Sequence, residues 1–129
     1  MADLILDTTL FIDYYRGDSA ARHLVEGILS GATKASYCPF ILAELWQDSS
    51  LGRREEVVYT ALVSFLEEAT ISSESAKVAG TWLRPFSKEE QIAYYSYALL
   101  AAVAQERRET ICTRDTEPYL RFYPKVRSY

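Results

Sequence analysis

Three carboxylates stand where they could do chemistry. Asp7 follows the apolar run Leu4-Ile5-Leu6, Glu44 comes shortly after Ala35-Ser36-Tyr37-Cys38, and Asp115 follows Thr110-Ile111-Cys112-Thr113. Each run reads as a short buried strand. In a parallel sheet the carboxyl ends of the strands share one edge, and open α/β sheets build their sites there. Three acids brought to that edge repel one another unless a cation holds them. Hard divalent ions such as Mg2+ or Mn2+ take oxygen ligands and keep waters. Such an ion lowers the pKa of a bound water and stabilises in-line displacement at phosphorus. The positions of Asp7, Glu44 and Asp115 therefore point to metal-assisted phosphate chemistry. The plain alternative is that an acid after a strand serves as a helix cap or turn former.

The elements that must position these acids are legible from spacing. Strand one is expected over about residues 3–7, followed by a short helix over residues 9–16 that Gly17 closes. Asp18 caps a second helix in which Ala20, Ala21, Leu24, Val25, Ile28 and Leu29 recur at helical spacing, with Gly31 just past its end. Ala35-Ser36-Tyr37-Cys38 reads as strand two. Pro39 suits the first position of the next helix, over residues 40–48, which carries Glu44. A long amphipathic helix is expected over residues 53–68, with Val57, Val58, Ala61, Leu62, Phe65 and Leu66 as its core face. Ala69-Thr70-Ile71 reads as strand three, and Ser73 starts a helix that ends before Pro85. Ser87 and Glu90 have capping-box form, and the helix they open reaches about Arg108, apolar nearly all round in its middle and so buried. Residues 110–113 are strand four, Pro118 starts a last helical turn, and residues 125–127 form an edge strand. Strands alternating with helices imply a parallel sheet with right-handed crossovers.

Composition narrows the class. A chain of 129 residues, 49% of them apolar, suits one globular domain over residues 1–129, with no repeat or linker. The net charge of −4 is no general nucleic-acid signature. It is uneven: residues 107–129 carry Arg107, Arg108, Arg114, Arg121, Lys125 and Arg127 against Glu109, Asp115 and Glu117, a balance of +3 against −7 for the rest. That segment either touches phosphates or is a solvated tail. Cys38 and Cys112 lack metal-ligand spacing and read as buried free thiols in a reducing compartment. No secretory leader pattern opens the chain, and the most apolar run, residues 92–104, is too short to span a bilayer. The expectation is a soluble, cytoplasmic protein with no membrane partner. His23, the one histidine, lies on a helix away from the acids, which leaves no histidine-based nucleophile system. No glycine-rich turn follows strand one, so phosphate-loop and dinucleotide fingerprints are absent.

Four segments carry a family resemblance. Leu6-Asp7-Thr8-Thr9-Leu10-Phe11-Ile12-Asp13, Cys38-Pro39-Phe40-Ile41-Leu42-Ala43-Glu44-Leu45, Ala98-Leu99-Leu100-Ala101-Ala102-Val103-Ala104 and Cys112-Thr113-Arg114-Asp115 resemble, in order and spacing, the motifs of the PIN domain. The resemblance is strongest to the small VapC-type toxins of toxin–antitoxin pairs and covers essentially the whole chain. It implies a three-layer α/β/α sandwich with a central parallel sheet of four or five strands. It implies a metal-dependent endoribonuclease with an RNA substrate, a cognate antitoxin whose tail enters the acidic groove, and a homodimer. Residue by residue, it makes Asp7, Glu44 and Asp115 the catalytic and metal-binding acids, with Mg2+ or Mn2+ as cofactor, and Thr113 the supporting hydroxyl. Asp13 is expected at a helical surface or packing position, though an acid there also fits the family pattern.

Two positions depart from the pattern. Thr9 stands where the family has Asn, and a hydroxyl can still hydrogen-bond there. Tyr97 stands where the family has its third acid. A phenol is a poor Mg2+ ligand at neutral pH, and its bulk can fill the metal's place. Glu90 lies two helical turns earlier, about 10 Å away, and cannot simply substitute; Glu117, in the loop after Asp115, is the acid left to reach the site. Arg114 either neutralises a phosphate or pairs with an acid of the cluster. The expectation is thus a ribonuclease weakened by Tyr97. The alternative is a catalytically degenerate PIN domain that binds protein or RNA, where Tyr97 is a groove-wall residue or stacks on a base. A third reading is a self-assembling structural module built on the tyrosine-rich helix.

Overall fold

Leu4, Ile5 and Leu6 are almost wholly enclosed because they form the central strand of the sheet. The computed structural model describes residues 2–129. Strands β1 (Leu4–Leu6), β2 (Ala35–Tyr37), β3 (Glu67–Glu68), β4 (Thr110–Cys112) and β5 (Val126–Arg127) form one sheet in the order β3-β2-β1-β4-β5. Every pairing is parallel. Leu6 lies level with Tyr37 on one side and Cys112 on the other, so the three strands end together.

Side chains alternate across a strand. Leu4 and Leu6 therefore enter one core with helices α1 (Thr8–Tyr15), α2 (Ser19–Leu29), α3 (Phe40–Trp46) and α4 (Arg53–Val63). Ile5 enters the other, against α6 (Lys88–Arg107) and α7 (Thr116–Leu120), and α5 (Ser73–Leu83) packs outside α6. The result is the expected α/β/α sandwich, with five strands and a PIN-like arrangement. Gly17 (φ +87°) and Gly31 (φ +82°) close α1 and α2 in the left-handed region, where a side chain is strained.

The capping box of α6 forms as expected: the Glu90 amide donates to Ser87 Oγ at 3.2 Å, and the Ser87 amide to Glu90 Oε1 at 3.1 Å. The middle of the helix is buried through Ala98 and Leu100 to Ala104. Pro39 takes the N-cap of α3, one place earlier than expected.

Two elements differ from their expected form. Helix α4 stops at Val63 because Ser64 Oγ donates to the Ala61 carbonyl at 2.6 Å and the chain turns away. Its core face is also rotated. Tyr59 is 2% exposed, with its ring edge-on to Phe11 and Tyr15, and this large anchor leaves Val57 and Phe65 53% and 57% exposed. Strand β3 lies at Glu67–Glu68 rather than at 69–71. Both glutamates face solvent on the sheet edge, where Arg107 Nη2 donates to Glu67 at 2.7 Å and Tyr37 Oη to Glu68 at 3.1 Å.

Helix α6 is capped by Arg108, the one non-glycine residue with positive φ (59°) among the described residues. An L-residue pays about 1–2 kcal/mol for that conformation. Arg108→Gly is expected to raise stability by up to about 1 kcal/mol, since glycine's greater freedom when unfolded offsets part of the relief. A denaturant titration with an unchanged or lower midpoint would count against it.

Candidate functional site

Asp7 leaves β1 in extended conformation (φ −109°, ψ −174°) and caps α1. Its Oδ1 accepts the Thr9 amide at 3.1 Å and the Thr9 hydroxyl at 2.6 Å. Its Oδ2 accepts the Thr113 hydroxyl at 2.7 Å and the Tyr119 hydroxyl at 3.1 Å. Thr9 thus does hydrogen-bond from its position, and Thr113 stands beside Asp7 as the resemblance implies. Burial raises the Asp7 carboxyl above its ordinary pKa, with the hydrogen bonds from Thr9, Thr113 and Tyr119 opposing it.

Glu44 lies half-buried on α3. Burial raises its carboxyl too, the Ser96 hydroxyl on α6 opposes this, and the charge of Asp7 adds to it. Asp115 opens α7 without a side-chain cap, and its half-exposed carboxylate lies 3.6 Å from Arg114 Nε. Tyr97 reaches in from α6. Burial raises its phenol above its ordinary pKa, and the charges of Asp115, Asp7 and Glu44 add to this. It meets Tyr119 edge-on, with centroids 5.0 Å apart and planes at 87°.

Arg114 pairs with acids: its guanidinium donates to Asp13 and neighbours Asp115. Asp13 is buried in α1, and it holds Arg114 with one oxygen while the Tyr129 hydroxyl donates to the other. It is therefore a packing position rather than a surface one. Burial and the Asp13 contact push the Tyr129 phenol well up. Glu90 is spent on its capping box, and Glu117 is exposed in the first turn of α7. His23 is exposed on α2, and Cys38 and Cys112 are buried free thiols.

Tyr119 escaped the sequence reading. Its signal is positional: it falls four residues after Asp115, one turn into the helix that begins at the same sheet edge. Nothing local announces the Asp13, Arg114 and Tyr129 cluster.

The resemblance to PIN domains implies a divalent ion, and the acids present bear on whether it fits. A carboxylate offers about four lone-pair positions. Protein donors fill both oxygens of Asp7. Asp115 faces a guanidinium, and the Tyr97 ring packs edge-on on Tyr119 beside Asp7. Among the described residues, no group of three or more His, Cys, Asp or Glu side chains could hold a metal ion. As arranged, these residues do not fit a resident Mg2+ or Mn2+. Nor, among the described residues, is any helix long and apolar enough to cross a membrane.

No protein-family model matches the sequence, and no curated protein matches it either. Solved structures do match the fold. A chain of VapBC2 from Rickettsia felis, bound to a DNA fragment from its promoter, aligns with TM-score 0.71 and 16% identity over 98% of each chain. A chain of a toxin–antitoxin complex from Klebsiella pneumoniae aligns with TM-score 0.69 and 20% identity over 96% of this chain and 95% of that one. A chain of DNA-bound VapBC from Salmonella typhimurium gives TM-score 0.69 and 18% identity over 100% and 98%. The chain has the PIN-like α/β fold, in common with chains of these toxin–antitoxin complexes.

Proposed function

We propose that residues 1–129 form a single VapC-type PIN domain that pairs with a cognate antitoxin and contacts RNA, and that its ribonuclease centre is dormant. One observation carries this reading: the Tyr97 ring packs edge-on against Tyr119, whose hydroxyl donates to Asp7. The toxin–antitoxin complexes with the same fold support the partner. Exposed apolar side chains (Val57 and Phe65 near α4, Ile92 and Tyr95 on α6) offer contact area to an antitoxin or to a second copy in a homodimer. A cytoplasmic setting fits the two unpaired thiols.

A second reading has its own support. Burial raises both Asp7 and Glu44, and the charge of Asp7 raises Glu44 further, a repulsion that a cation would relieve. On that reading the chain is a metal-dependent endoribonuclease using Asp7, Glu44 and Asp115 with weakly held Mg2+ or Mn2+.

An RNA-cleavage assay in Mn2+ separates the two. The natural chain is expected to cleave no faster than the buffer blank, and Tyr97→Asp to cleave at least tenfold faster than the natural chain. Cleavage by the natural chain that vanishes in Asp7→Asn would establish the second reading instead.

A further inference from the structure

The donors around Asp7 are themselves oriented. The Arg114 amide donates to Thr9 Oγ1 at 3.0 Å, and the next amide, of Asp115, donates to Thr113 Oγ1 at 3.0 Å. Each amide takes a lone pair of its hydroxyl and leaves the hydroxyl proton to point at Asp7, at 2.6 Å and 2.7 Å. Bonds from a hydroxyl to a carboxylate at these lengths are charge-assisted and strong. Thr9 and Thr113 are 5% and 0% exposed, so neither hydroxyl can turn to water instead. The Tyr119 hydroxyl, also buried, supplies the last donor. Beside this cage the Arg114 guanidinium lies between Asp13 and Asp115.

We propose that the centre around Asp7 is a cation-free junction, in which two amide-oriented threonine hydroxyls and the Tyr119 hydroxyl satisfy Asp7, and the Arg114 guanidinium lies against Asp115, in place of a divalent ion between these two acids. Asp7 then ties β1, α1, β4 and α7 together, and Thr9 and Thr113 are its positioning residues. A divalent ion entering here must break bonds to oriented buried donors before it gains an oxygen. The proposal rests on the reading of the ribonuclease centre as dormant and names what closes it.

The test uses the full chain, with Mn2+ alone as probe. Free Mn2+ is followed by its electron paramagnetic resonance signal, and melting is compared in chelator and in millimolar Mn2+. The natural chain is expected to leave the signal unchanged and to melt at the same temperature in both. Thr113→Val is expected to lower the melting temperature in chelator by several degrees, and Thr113→Ser to restore it. Uptake of one Mn2+ per natural chain, lost in Asp7→Asn, would overturn the proposal even if no RNA were cleaved. A Thr113→Val chain as stable as the natural one would overturn it independently of any metal measurement. RNA cleavage that persists in chelator with no Mn2+ uptake would support the cation-free junction while overturning the dormant reading.

Discussion

Arg107→Ala is expected to cost the fold about 3–5 kcal/mol, the range for removing one partner of a buried ion pair. Glu109 lies just before β4 and is 0% exposed. Arg107 grips it in two places, Nε to Oε1 at 2.8 Å and Nη2 to Oε2 at 3.1 Å. The Ser36 hydroxyl donates to Oε1 at 2.8 Å, and Arg107 also reaches Glu67 on the edge strand. These contacts hold the guanidinium pKa above its ordinary value, although burial opposes them. Without Arg107, Glu109 retains one serine hydroxyl against a full charge. A large share of a small domain's stability, about 5–15 kcal/mol, is then at risk. Arg107→Lys is expected to recover only part of the loss, because an ammonium cannot make the two-point grip. Urea unfolding of the three chains measures this, and a cost below about 1 kcal/mol for alanine would show that water reaches Glu109.

The second large effect separates a charge from a shape at Asp7. Asp7→Ala is expected to cost about 2–4 kcal/mol: about 1 for the lost cap on Thr9 and about 1–3 for the Tyr119 hydroxyl left without an acceptor. Asp7→Asn is expected to cost less than Asp7→Ala at neutral pH. Its amide oxygen still accepts from Thr9, while its NH2 leaves the Thr113 and Tyr119 hydroxyl protons without their acceptor. It also removes a buried charge. The pH dependence follows from the same burial. The folded pKa of Asp7 lies above its ordinary value of 3.8, so between the two the native state binds more protons than the unfolded one. The contribution is fully present below pH 3.8 and is lost as pH rises through the folded pKa. Stability measured from pH 7 downward should therefore gain from this group in the natural chain, and Asp7→Asn should flatten that gain. Glu44, raised for the same reason, adds in the same direction. An Asn variant as unstable as the alanine variant would show that the negative charge itself holds the junction.

How far the sequence showed this depends on the range of each signal. Strand β1, the caps at Asp18 and Ser87, and the buried middle of α6 rest on contiguous patterns, and they form as read. The rotation of α4 was hidden because Tyr59 looks amphipathic in sequence, and only its partners on α1 decide which way it turns. Strand β3 was hidden because two edge glutamates carry no apolar pattern, and their partners Arg107 and Tyr37 lie 40 and 31 residues away. At the candidate site, strand alternation brought the three acids to one edge. What each carboxylate faces was not legible, since the bonds from Thr113, Tyr119 and Arg114 span 106, 112 and 101 residues. The one local clue was Tyr97, whose size and pKa announced that the edge is not a plain acid cluster.

Two buried carboxylates sit at opposite ends of the sheet, Asp7 at the carboxyl end and Glu109 at the amino end. Strand β4 runs between them, stapled through Thr113 to β1 and α1 at one end, and through Glu109 to β2 and α6 at the other. Such a strand has no free end from which to fray. Opening of the sheet must start at its two-residue borders, β3 and β5. The centre then opens as one unit, at a free energy approaching that of global unfolding.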